Sequence, residues 1–402
     1  MSILVVNAGS STLKLTVVGD DDRIEAELDV DPWDGASASE HIDAALRSAE
    51  EVHVDIVVVG HRFVHGGDAV GASQVTQSLI DRLHGLSTLA PLHQPRSLAA
   101  LADAQQVLPN VPHVACFDTS FHLTMAPRAR TYALPQTWRE RWPLERTGFH
   151  GLSHAWAGRR ASEMTGQSGQ SQRVVSCHLG AGASLCAILD GHSVDTSMGY
   201  TPLDGLVMAT RSGSIDPGLI LWLILEGGLE PHEILDGIER RGGLAGLSGT
   251  TGDMRAVLAA LADGDQRAEL AFDVYIHRLR REIAAMAAAL GGVDALVFTG
   301  GVGEHSAQTR AAAVDGLKFL GVSIDATANS AAVGDTNISG SDGPGSVLIV
   351  ASREDLEIAR QVRVTSEDQS SQQFRDGREL QVNVAAAVDP IPNHDSQTRL
   401  LR

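Results

Sequence analysis

Short apolar runs alternate along the chain with stretches of helical periodicity, and this pattern is typical of an α/β protein. Strands are predicted at both ends of the segment Ile3–Leu15 and at Asp55–Val59, His113–Phe117, Arg173–Cys177, Leu185–Leu189, Asp294–Phe298 and Val347–Val350. Helices are predicted at Ser39–Ala49, Ser78–Leu89, Arg96–Gln106, Ala155–Thr165, Leu219–Glu226, Gln266–Leu290 and Asp355–Arg360. The segment from Thr365 to Arg402 is polar and has no clear period, so we expect most of it to be a disordered or loosely attached tail.

The first two apolar runs, within Ile3–Leu15, flank a short polar turn of sequence NAGSST. Small residues let backbone N–H groups approach an anion, and the hydroxyls of Ser10 and Thr12 with the ammonium of Lys14 would complete such a site. The chain has only two lysines against 29 arginines, so a lysine at this place is unusual. An ordinary hairpin with a Ser-rich turn is the alternative interpretation.

A second turn of similar composition lies about 170 residues further along the chain. The sequence GAGAS at 180–184 parallels NAGSS at 7–11, and apolar, strand-like runs flank both. Turns of Gly, Ser and Ala are common, so chance is the alternative explanation. The matching strand–turn–strand context favours a duplicated α/β domain with a ligand cleft between the two copies.

Length, charge and cysteine content limit the class of protein. A chain of 402 residues is too long for one simple core and predicts two domains. The net charge of −19 argues against a nucleic-acid partner, because phosphate backbones require a basic surface. Three cysteines in apolar contexts favour buried free thiols in a reducing compartment. Without a basic n-region or an apolar run of about 18 residues, we expect a cytoplasmic protein with no membrane partner.

Charged side chains stand at the ends of two predicted strands. Arg62 follows the apolar run at 55–59, and Asp118 follows the strand His113–Phe117. Open α/β sheets place ligand-binding residues at such strand ends. A surface ion pair for Arg62 and a helix N-cap for Asp118 are the alternatives.

Two further segments present polar side chains in Gly-rich or irregular surroundings. His150 lies between an aromatic residue and a glycine, where its imidazole is accessible for chemistry, whereas His154 is interpreted as structural. The stretch 195–218 is dense in Gly, Thr, Ser, Pro and Asp and lacks periodicity. Irregular segments of this length inside compact domains are usually functional. Arg211 is the only strongly cationic residue of this stretch.

Ten short motifs occur in one order along the chain. They are NAGSSTLK (7–14), GHRFVHGG (60–67), APLHQP (90–95), FDTSFH (117–122), GFHG (148–151), HLGAG (178–182), TPLDG (201–205), TRSG (210–213), FTGGVGE (298–304) and SREDLEIA (352–359). Together they resemble the acetokinase family of the sugar-kinase/Hsp70/actin superfamily, over roughly residues 2–362. So many motifs make this resemblance far more specific than any single Gly-rich turn.

The resemblance implies two duplicated RNase H-like domains of the actin/Hsp70/sugar-kinase type, with a cleft between them. The first domain would comprise 1–119 with 355–402, and the second, nucleotide-binding domain would comprise 120–354. It also implies a homodimer and a reversible reaction in which ATP and acetate give ADP and acetyl phosphate. The implied cofactor is Mg²⁺, with Mn²⁺ as an alternative ion.

Carried over by position, the resemblance also implies the site residues. Catalytic roles fall on Asp118, His150 and Arg211, and metal binding falls on Asn7 and Glu354. The acetate site would comprise Arg62, Val64, Leu92, Phe149 and Pro202. The ATP site would comprise Ser10, Thr12, Lys14, His178, Leu179, Gly180, Ala181, Gly182, Asp253, Met254, Arg255, Gly301, Val302, Gly303, Glu304 and His305. At Ala181 the family commonly has Asn, so an amide is lost near the nucleotide.

These residue types agree with phosphoryl transfer. Negative charge spreads over the phosphoryl oxygens in the transition state, so cationic donors and positioning supply most of the catalysis. A carboxylate acceptor with a pKa of about 4 is already ionised at neutral pH and needs no general base. Asp118 is therefore interpreted as an organiser of Arg62 or of magnesium-bound water. A propionate or butyrate kinase and an acceptor-independent ATPase of the actin/Hsp70 type are the alternatives.

Overall fold

The computed structural model describes residues 1–9, 12–33, 35, 37–90 and 93–367. The predictions for Ser10, Leu92 and most of the C-terminal tail fall outside these residues. Within the described part, the chain forms two six-stranded sheets with helices packed on them. The predicted α/β class is confirmed.

The first sheet comes from the N-terminal part of the chain. Its strands are β1 (Ser2–Ala8), β2 (Leu13–Val18), β3 (Ile24–Val30), β4 (Ile56–Phe63), β5 (Ser73–Gln74) and β6 (His113–Phe117). Their spatial order is β3-β2-β1-β4-β6-β5. Strands β1, β4 and β6 run parallel, whereas β2, β3 and β5 are antiparallel to their neighbours. The carboxyl ends of β1, β4 and β6 therefore lie at one edge of the sheet.

The second sheet repeats this arrangement. Its strands are β7 (Arg173–Leu179), β8 (Ala183–Leu189), β9 (His192–Thr196), β10 (Ala295–Thr299), β11 (Thr336–Asn337) and β12 (Ser346–Ile349). Their order is β9-β8-β7-β10-β12-β11, so each strand takes the place of the strand six earlier in the chain. The parallel and antiparallel pairings also match one for one. The predicted duplication is confirmed.

Helices connect and cover the sheets. They are α1 (Ser39–Glu51), α2 (Gln77–Gly85), α3 (Gln94–Val107), α4 (Pro127–Arg130), α5 (Gln136–Arg141), α6 (Gly151–Met164), α7 (Pro217–Leu225), α8 (Pro231–Glu239), α9 (Gly243–Ser248), α10 (Met254–Ala262), α11 (Gln266–Leu290), α12 (Gly300–His305), α13 (Ala307–Asp315), α14 (Ala326–Ala331) and α15 (354–367). Short 3₁₀ helices form at Asp118–Thr124 and Lys318–Leu320. The segment 197–216 between β9 and α7 is irregular, as its composition predicts.

The longest helix, α11, begins and ends where the sequence predicts. The Asp265 carboxylate accepts hydrogen bonds from the first backbone N–H groups, and Gly291 ends the helix in the left-handed conformation at φ 71°. Its apolar face, which includes Ile276 and Leu279, is buried in the core of the second sheet. Burial of this face fixes the helix against the second sheet.

Several elements differ from the prediction. The acidic run 20–34, where no strand was predicted, contains β3. This is an outer strand with one exposed face, which can carry acidic side chains. Helix α2 ends at Gly85 rather than at Leu89, and short turns follow it. Helices α8 and α9 form where no helix was predicted.

Helix α15 returns the chain to the first sheet. Its Ile358 and Val362 pack with Ile3, Val5 and Val58 of that sheet. A Cβ atom on Gly60 would come within 2.8 Å of Ile358, so this close packing requires glycine in β4. Packing on this face places the first residue of α15, Glu354, at the edge where the parallel strands end.

The cysteines agree with the prediction of buried free thiols. Cys116, Cys177 and Cys186 are all buried and unbridged. Burial raises the pKa of the Cys186 thiol to about 12. Of the helices in the described ranges, none has the length and apolar character needed to cross a membrane.

Candidate active site

Four predicted site residues meet at the carboxyl edge of the first sheet. Asn7 is near the end of β1, Arg62 is near the end of β4, and Asp118 follows β6 directly. Arg62 Nη2 donates to Asp118 Oδ2 at 2.9 Å, and Arg62 Nη1 lies 2.9 Å from Glu354 Oε2 and 3.1 Å from Asn7 Oδ1. Asn7 Nδ2 also donates to Glu354 Oε2 at 2.9 Å. One guanidinium therefore holds an amide and two carboxylates together.

The pKa values of the two carboxyl groups in this cluster are shifted in opposite directions. Asp118 is fully buried, and burial raises its pKa to about 6 despite the attraction of Arg62. Burial also opposes ionisation of Glu354, but Arg62 and His178 bring its pKa below the usual value. Asp118 Oδ1 and Arg62 Nε are buried and have no hydrogen-bond partner within the described residues. Such atoms are usually satisfied by a ligand or ion when the site is filled.

The residues here fit a magnesium ion. Mg²⁺ prefers hard oxygen ligands and usually takes one or two carboxylates, keeping its other positions for water and substrate phosphates. Asn7, Asp118 and Glu354 supply an amide oxygen and two carboxylates, and Asp118 Oδ1 is unpartnered within the described residues. In those ranges there is no group of three or more His, Cys, Asp or Glu side chains placed to hold a metal. The donor set therefore suits Mg²⁺ bound together with a phosphate ligand.

The GFHG motif fixes His150 beside this cluster. His150 immediately precedes α6 and has φ 55°, a left-handed conformation that is uncommon for residues other than glycine. A Cβ atom on Gly151 would lie within 2 Å of the Asp118 carbonyl oxygen, so only glycine lets α6 begin this close to Asp118. The motif therefore brings the histidine that precedes α6 next to the aspartate at the edge of the first sheet.

His150 and Arg211 face each other across Gly182. A Cβ atom placed on Gly182 would be 3.5 Å from both His150 Nε2 and Arg211 Nη1. Arg211 donates to the Pro202 carbonyl oxygen at 3.2 Å, and burial lowers the pKa of its guanidinium. Burial, His178 and the nearby arginines lower the pKa of His150 well below 6.5, so its imidazole is neutral at pH 7.

A cavity of about 240 Å³ joins these groups. Its lining includes the predicted residues Arg62, Val64, Asp118, Phe149, His150, Gly182, Pro202 and Arg211. Val64 and Phe149 are buried apolar side chains, so one part of the wall is apolar and the other is cationic. Leu92 is not among the described residues.

Sequence reasoning missed several residues of this cavity. The missed residues are His93, Ala209, Thr210, Glu239 and Arg240. The motif APLHQP places an imidazole next to an apolar residue between two prolines, which is the available signal for His93. Burial and the nearby Arg211 lower the pKa of His93 to about 3, so this imidazole is also neutral at pH 7.

A larger cavity of about 720 Å³ adjoins the first. The predicted residues that line it are Gly180, Ala181, Asp253, Met254, Arg255, Gly301, Val302 and His305. Ala181 and Ala209 line both cavities, which therefore meet at the second Gly-rich turn. Residues that sequence reasoning missed are Leu244, Thr251, Gly252, Leu258, Tyr275 and Ser306. The Tyr275 hydroxyl is buried without a hydrogen-bond partner in the described ranges.

The other described residues predicted for ATP lie outside this larger cavity. Lys14 pairs with Asp29 at 3.1 Å, and Thr12 closes the first turn by accepting from the Gly9 N–H at 2.8 Å. Leu179 is fully buried in the core, and His178 stacks on His150 with ring centroids 4.4 Å apart. Glu304 Oε1 accepts from Gly300 N and Ser352 N, both at 3.0 Å, and Gly303 is buried in α12. Their roles toward ATP stay predictions.

The duplicated sheets and the adjoining cavities define the class of protein. A cationic pocket large enough for a small anion meets a cavity large enough for a nucleotide at a Gly-rich turn. Backbone amides in such turns bind phosphate groups. This arrangement is that of a two-domain kinase.

Comparison with known proteins specifies the family. The sequence profile of the acetokinase family matches residues 25–360, and the chain belongs to that family. It is 40% identical to acetate kinase of Nostoc punctiforme, over 90% of this chain and 98% of that protein. About a tenth of this chain therefore lies outside that match.

Solved structures agree with the sequence relatives. Acetate kinase of Porphyromonas gingivalis superposes with a TM-score of 0.81 at 32% identity, covering 90% of this chain and 99% of that one. A propionate kinase of Francisella tularensis gives a TM-score of 0.82 at 32% identity, covering 90% and 98%. The fold and the family are thus established together.

Proposed function

We propose that this protein catalyses reversible phosphoryl transfer between ATP and acetate, giving ADP and acetyl phosphate. One observation carries the proposal: the cavity of about 240 Å³ combines Arg62, Arg211 and His150 with an apolar wall, and it opens at Ala181 onto the larger cavity. A short carboxylic acid has a charged end and an apolar end that match these two walls. The family membership and the relatives named acetate kinase support the same assignment.

The charged and apolar residues of the small cavity have different roles in the proposed transfer. Acetate is ionised at pH 7, so the acceptor oxygen attacks without a general base. Arg62, anchored by Asp118, binds the carboxylate while Val64 and Phe149 contact the methyl group. Arg211 and the Nε2–H of His150 donate to the transferred phosphoryl group, whose oxygens gain negative charge as the bond to ADP breaks.

Asn7, Asp118 and Glu354 would hold Mg²⁺ against the phosphates of ATP. The ion would neutralise phosphate charge when bound, and Mn²⁺, which also accepts oxygen ligands, would replace it. Asp118 therefore has two partners, Arg62 through Oδ2 and the ion through the unpartnered Oδ1. A cytoplasmic location, where ATP is available and the three buried thiols stay reduced, agrees with this assignment.

The direct test is a hydroxamate assay for acyl phosphate with ATP, Mg²⁺ and acetate, propionate or butyrate. Acetate is expected to give the highest kcat/KM, because each added methylene must fit the small cavity. A higher kcat/KM with propionate than with acetate would indicate a propionate kinase, like the Francisella tularensis relative. ATP hydrolysis at the same rate with or without any carboxylate would contradict the proposal.

Chain-length preference is expected to depend on Val64. Val64→Ala removes two methyl groups from the cavity wall, so the ratio of kcat/KM for propionate to that for acetate should rise about tenfold. Val58→Ala is the matched control, because Val58 is a buried valine of β4, the strand that ends just before Val64, and it does not line the cavity. An unchanged ratio in Val64→Ala would place the methyl group elsewhere.

We also propose that the protein is a homodimer that associates through α7. This helix, PGLILWLIL, is apolar on all sides, yet Trp222 is 56% and Leu225 is 75% exposed in the single chain. A surface of this kind usually marks an interface. A second copy suits it because the family resemblance implies a dimer.

Trp222→Glu is expected to convert the dimer to a monomer, because a charged side chain would be buried in the apolar contact. Light scattering during size-exclusion chromatography measures the mass. Trp138→Glu is the control, since Trp138 is 52% exposed on α5. A dimer that survives Trp222→Glu with unchanged dissociation would exclude α7 as the interface.

A further inference from the structure

A row of buried side chains connects His150 to the second sheet. Ser176 lies on β7, His154 on α6 and Ser184 on β8. Ser176 Oγ is 2.9 Å from His154 Nδ1, His154 Nε2 is 2.8 Å from Ser184 Oγ, and Ser184 Oγ is 2.9 Å from His150 Nδ1. Ser176, His154 and Ser184 are all fully buried. We call these three residues the Ser–His–Ser relay.

The two ring nitrogens of His150 have different surroundings. Nδ1 faces Ser184, whereas Nε2 faces the small cavity next to Gly182 and Arg211. His150 is neutral, so it carries a proton on only one of these nitrogens. The tautomer therefore decides whether Nε2 presents an N–H or a lone pair to a ligand.

Only one tautomer lets His150 donate to an anion in the cavity. With the proton on Nε2, Nδ1 must accept a hydrogen bond, and the Ser184 hydroxyl is the donor within reach. The Ser184 oxygen then accepts from the Nε2–H of His154, and His154 Nδ1 accepts from the Ser176 hydroxyl. Every group in the row is satisfied in this direction, and one N–H is left facing the cavity.

Within the described residues Ser176 Oγ has no hydrogen-bond partner besides His154 Nδ1, so the opposite direction leaves the hydrogen of this buried hydroxyl without an acceptor. The opposite direction also presents a lone pair to the cavity. It would place the proton of His150 on Nδ1, so Nε2 would repel phosphoryl oxygens. Burial lowers the pKa of His154 well below 6.5, so the relay carries no net charge and acts by orientation alone. His178 stacks on His150 at 4.4 Å and is itself held by Ser153 at 2.8 Å, which fixes the plane of the ring.

We propose that Ser184 and His154 are positioning residues, which hold His150 in the tautomer that donates from Nε2 to the transferred phosphoryl group. The proposal rests on the phosphotransferase function proposed above and adds how its histidine is set for donation. It gives His154 a role that its sequence context, interpreted as structural, did not indicate. Neither residue lines either cavity, so both act through His150.

Ser184→Ala is expected to lower kcat by about 10- to 100-fold, the scale seen when the hydrogen-bond partner that orients a metal-binding histidine is removed. KM for acetate and for ATP should stay within about threefold, because the lost interaction operates in the transition state. Ser184→Thr keeps the hydroxyl and should restore most of kcat. Ser193→Ala is the matched control: its hydroxyl is also 2.9 Å from a buried imidazole, that of His122, and it does not reach His150. Its kcat should equal that of the wild type.

The tautomer is measured separately from activity. Nitrogen-15 chemical shifts of His150 should show the proton on Nε2 in the wild type with bound ADP and phosphate, and a mixture of tautomers in Ser184→Ala. His154→Ala should shift the same signal, because it removes the donor to Ser184. Unchanged His150 shifts in both variants, or an unchanged kcat in Ser184→Ala, would overturn the proposal. If the wild type made no acyl phosphate, the proposed function would fail while the nitrogen shifts still reported on the relay.

Discussion

Arg211→Ala is expected to lower kcat for acetyl phosphate formation by about 10³-fold, the scale seen when an arginine that stabilises a transferring phosphoryl group is lost. Arg211 lines the small cavity with His150, and the two side chains face each other across Gly182. Its guanidinium donates to a backbone carbonyl and to the Met208 sulfur but makes no ion pair within the described residues. Removing it should leave the fold intact, because no buried carboxylate loses a partner.

Stopped assays of acyl hydroxamate and the thermal midpoint together test this expectation. Arg241→Ala is the control, since Arg241 pairs with Asp236 on the surface and lies outside both cavities. It should match the wild type in both measurements. Near-normal turnover in Arg211→Ala would contradict the proposed role of Arg211 in stabilising the transferred phosphoryl group.

The duplication and the contact between Arg62 and Asp118 could be predicted, because both depend on local sequence pattern and strand direction. Two strand–turn–strand segments of similar sequence gave the repeat, and the sheets show it in every pairing. Arg62 and Asp118 each follow an apolar run, and parallel strands bring such positions to one edge. The structure joins them at 2.9 Å.

Lys14 shows where local pattern is insufficient. The turn sequence indicates an anion site, but the partner of Lys14 depends on the register of the next strand. Lys14 lies directly opposite Asp29 on β3, and the two side chains pair at 3.1 Å. Because β3 is acidic with one exposed face, sequence pattern did not identify it as a strand, and Asp29 was not recognised.

The Ser–His–Ser relay could not be predicted from the sequence either. His154 was interpreted as structural, and Ser176 and Ser184 are ordinary strand residues. Their contact depends on how α6 lies across β7 and β8, which tertiary packing decides. His93, Glu239 and Arg240 line the small cavity for the same kind of reason, since they come from segments far apart in the chain.

Asp118→Asn is expected to lower kcat by about 10²-fold or more, because Arg62 loses the charged group that orients it and the proposed Mg²⁺ site loses a ligand. In the wild type, kcat/KM should fall as the pH drops below about 6, when Asp118 takes up a proton. His150 and His93 do not account for this acid limb, since burial keeps both imidazoles neutral at that pH. Acetate stays ionised there as well.

Asp118→Asn is expected to raise the stability of the protein although it lowers the activity. Because burial raises the pKa of Asp118 above its unfolded value, the folded protein holds this proton more tightly than the unfolded chain. The contribution of Asp118 to the free energy of unfolding is therefore present below about pH 4 and is lost as the pH rises to about 6. Asn carries no charge at any pH, so Asp118→Asn should gain stability relative to the wild type across this interval. Urea unfolding of both proteins at pH 4.5 and pH 7 measures the difference. A variant that is less stable relative to the wild type at pH 7 than at pH 4.5 would show that the ion pair with Arg62 outweighs the cost of burying the charge.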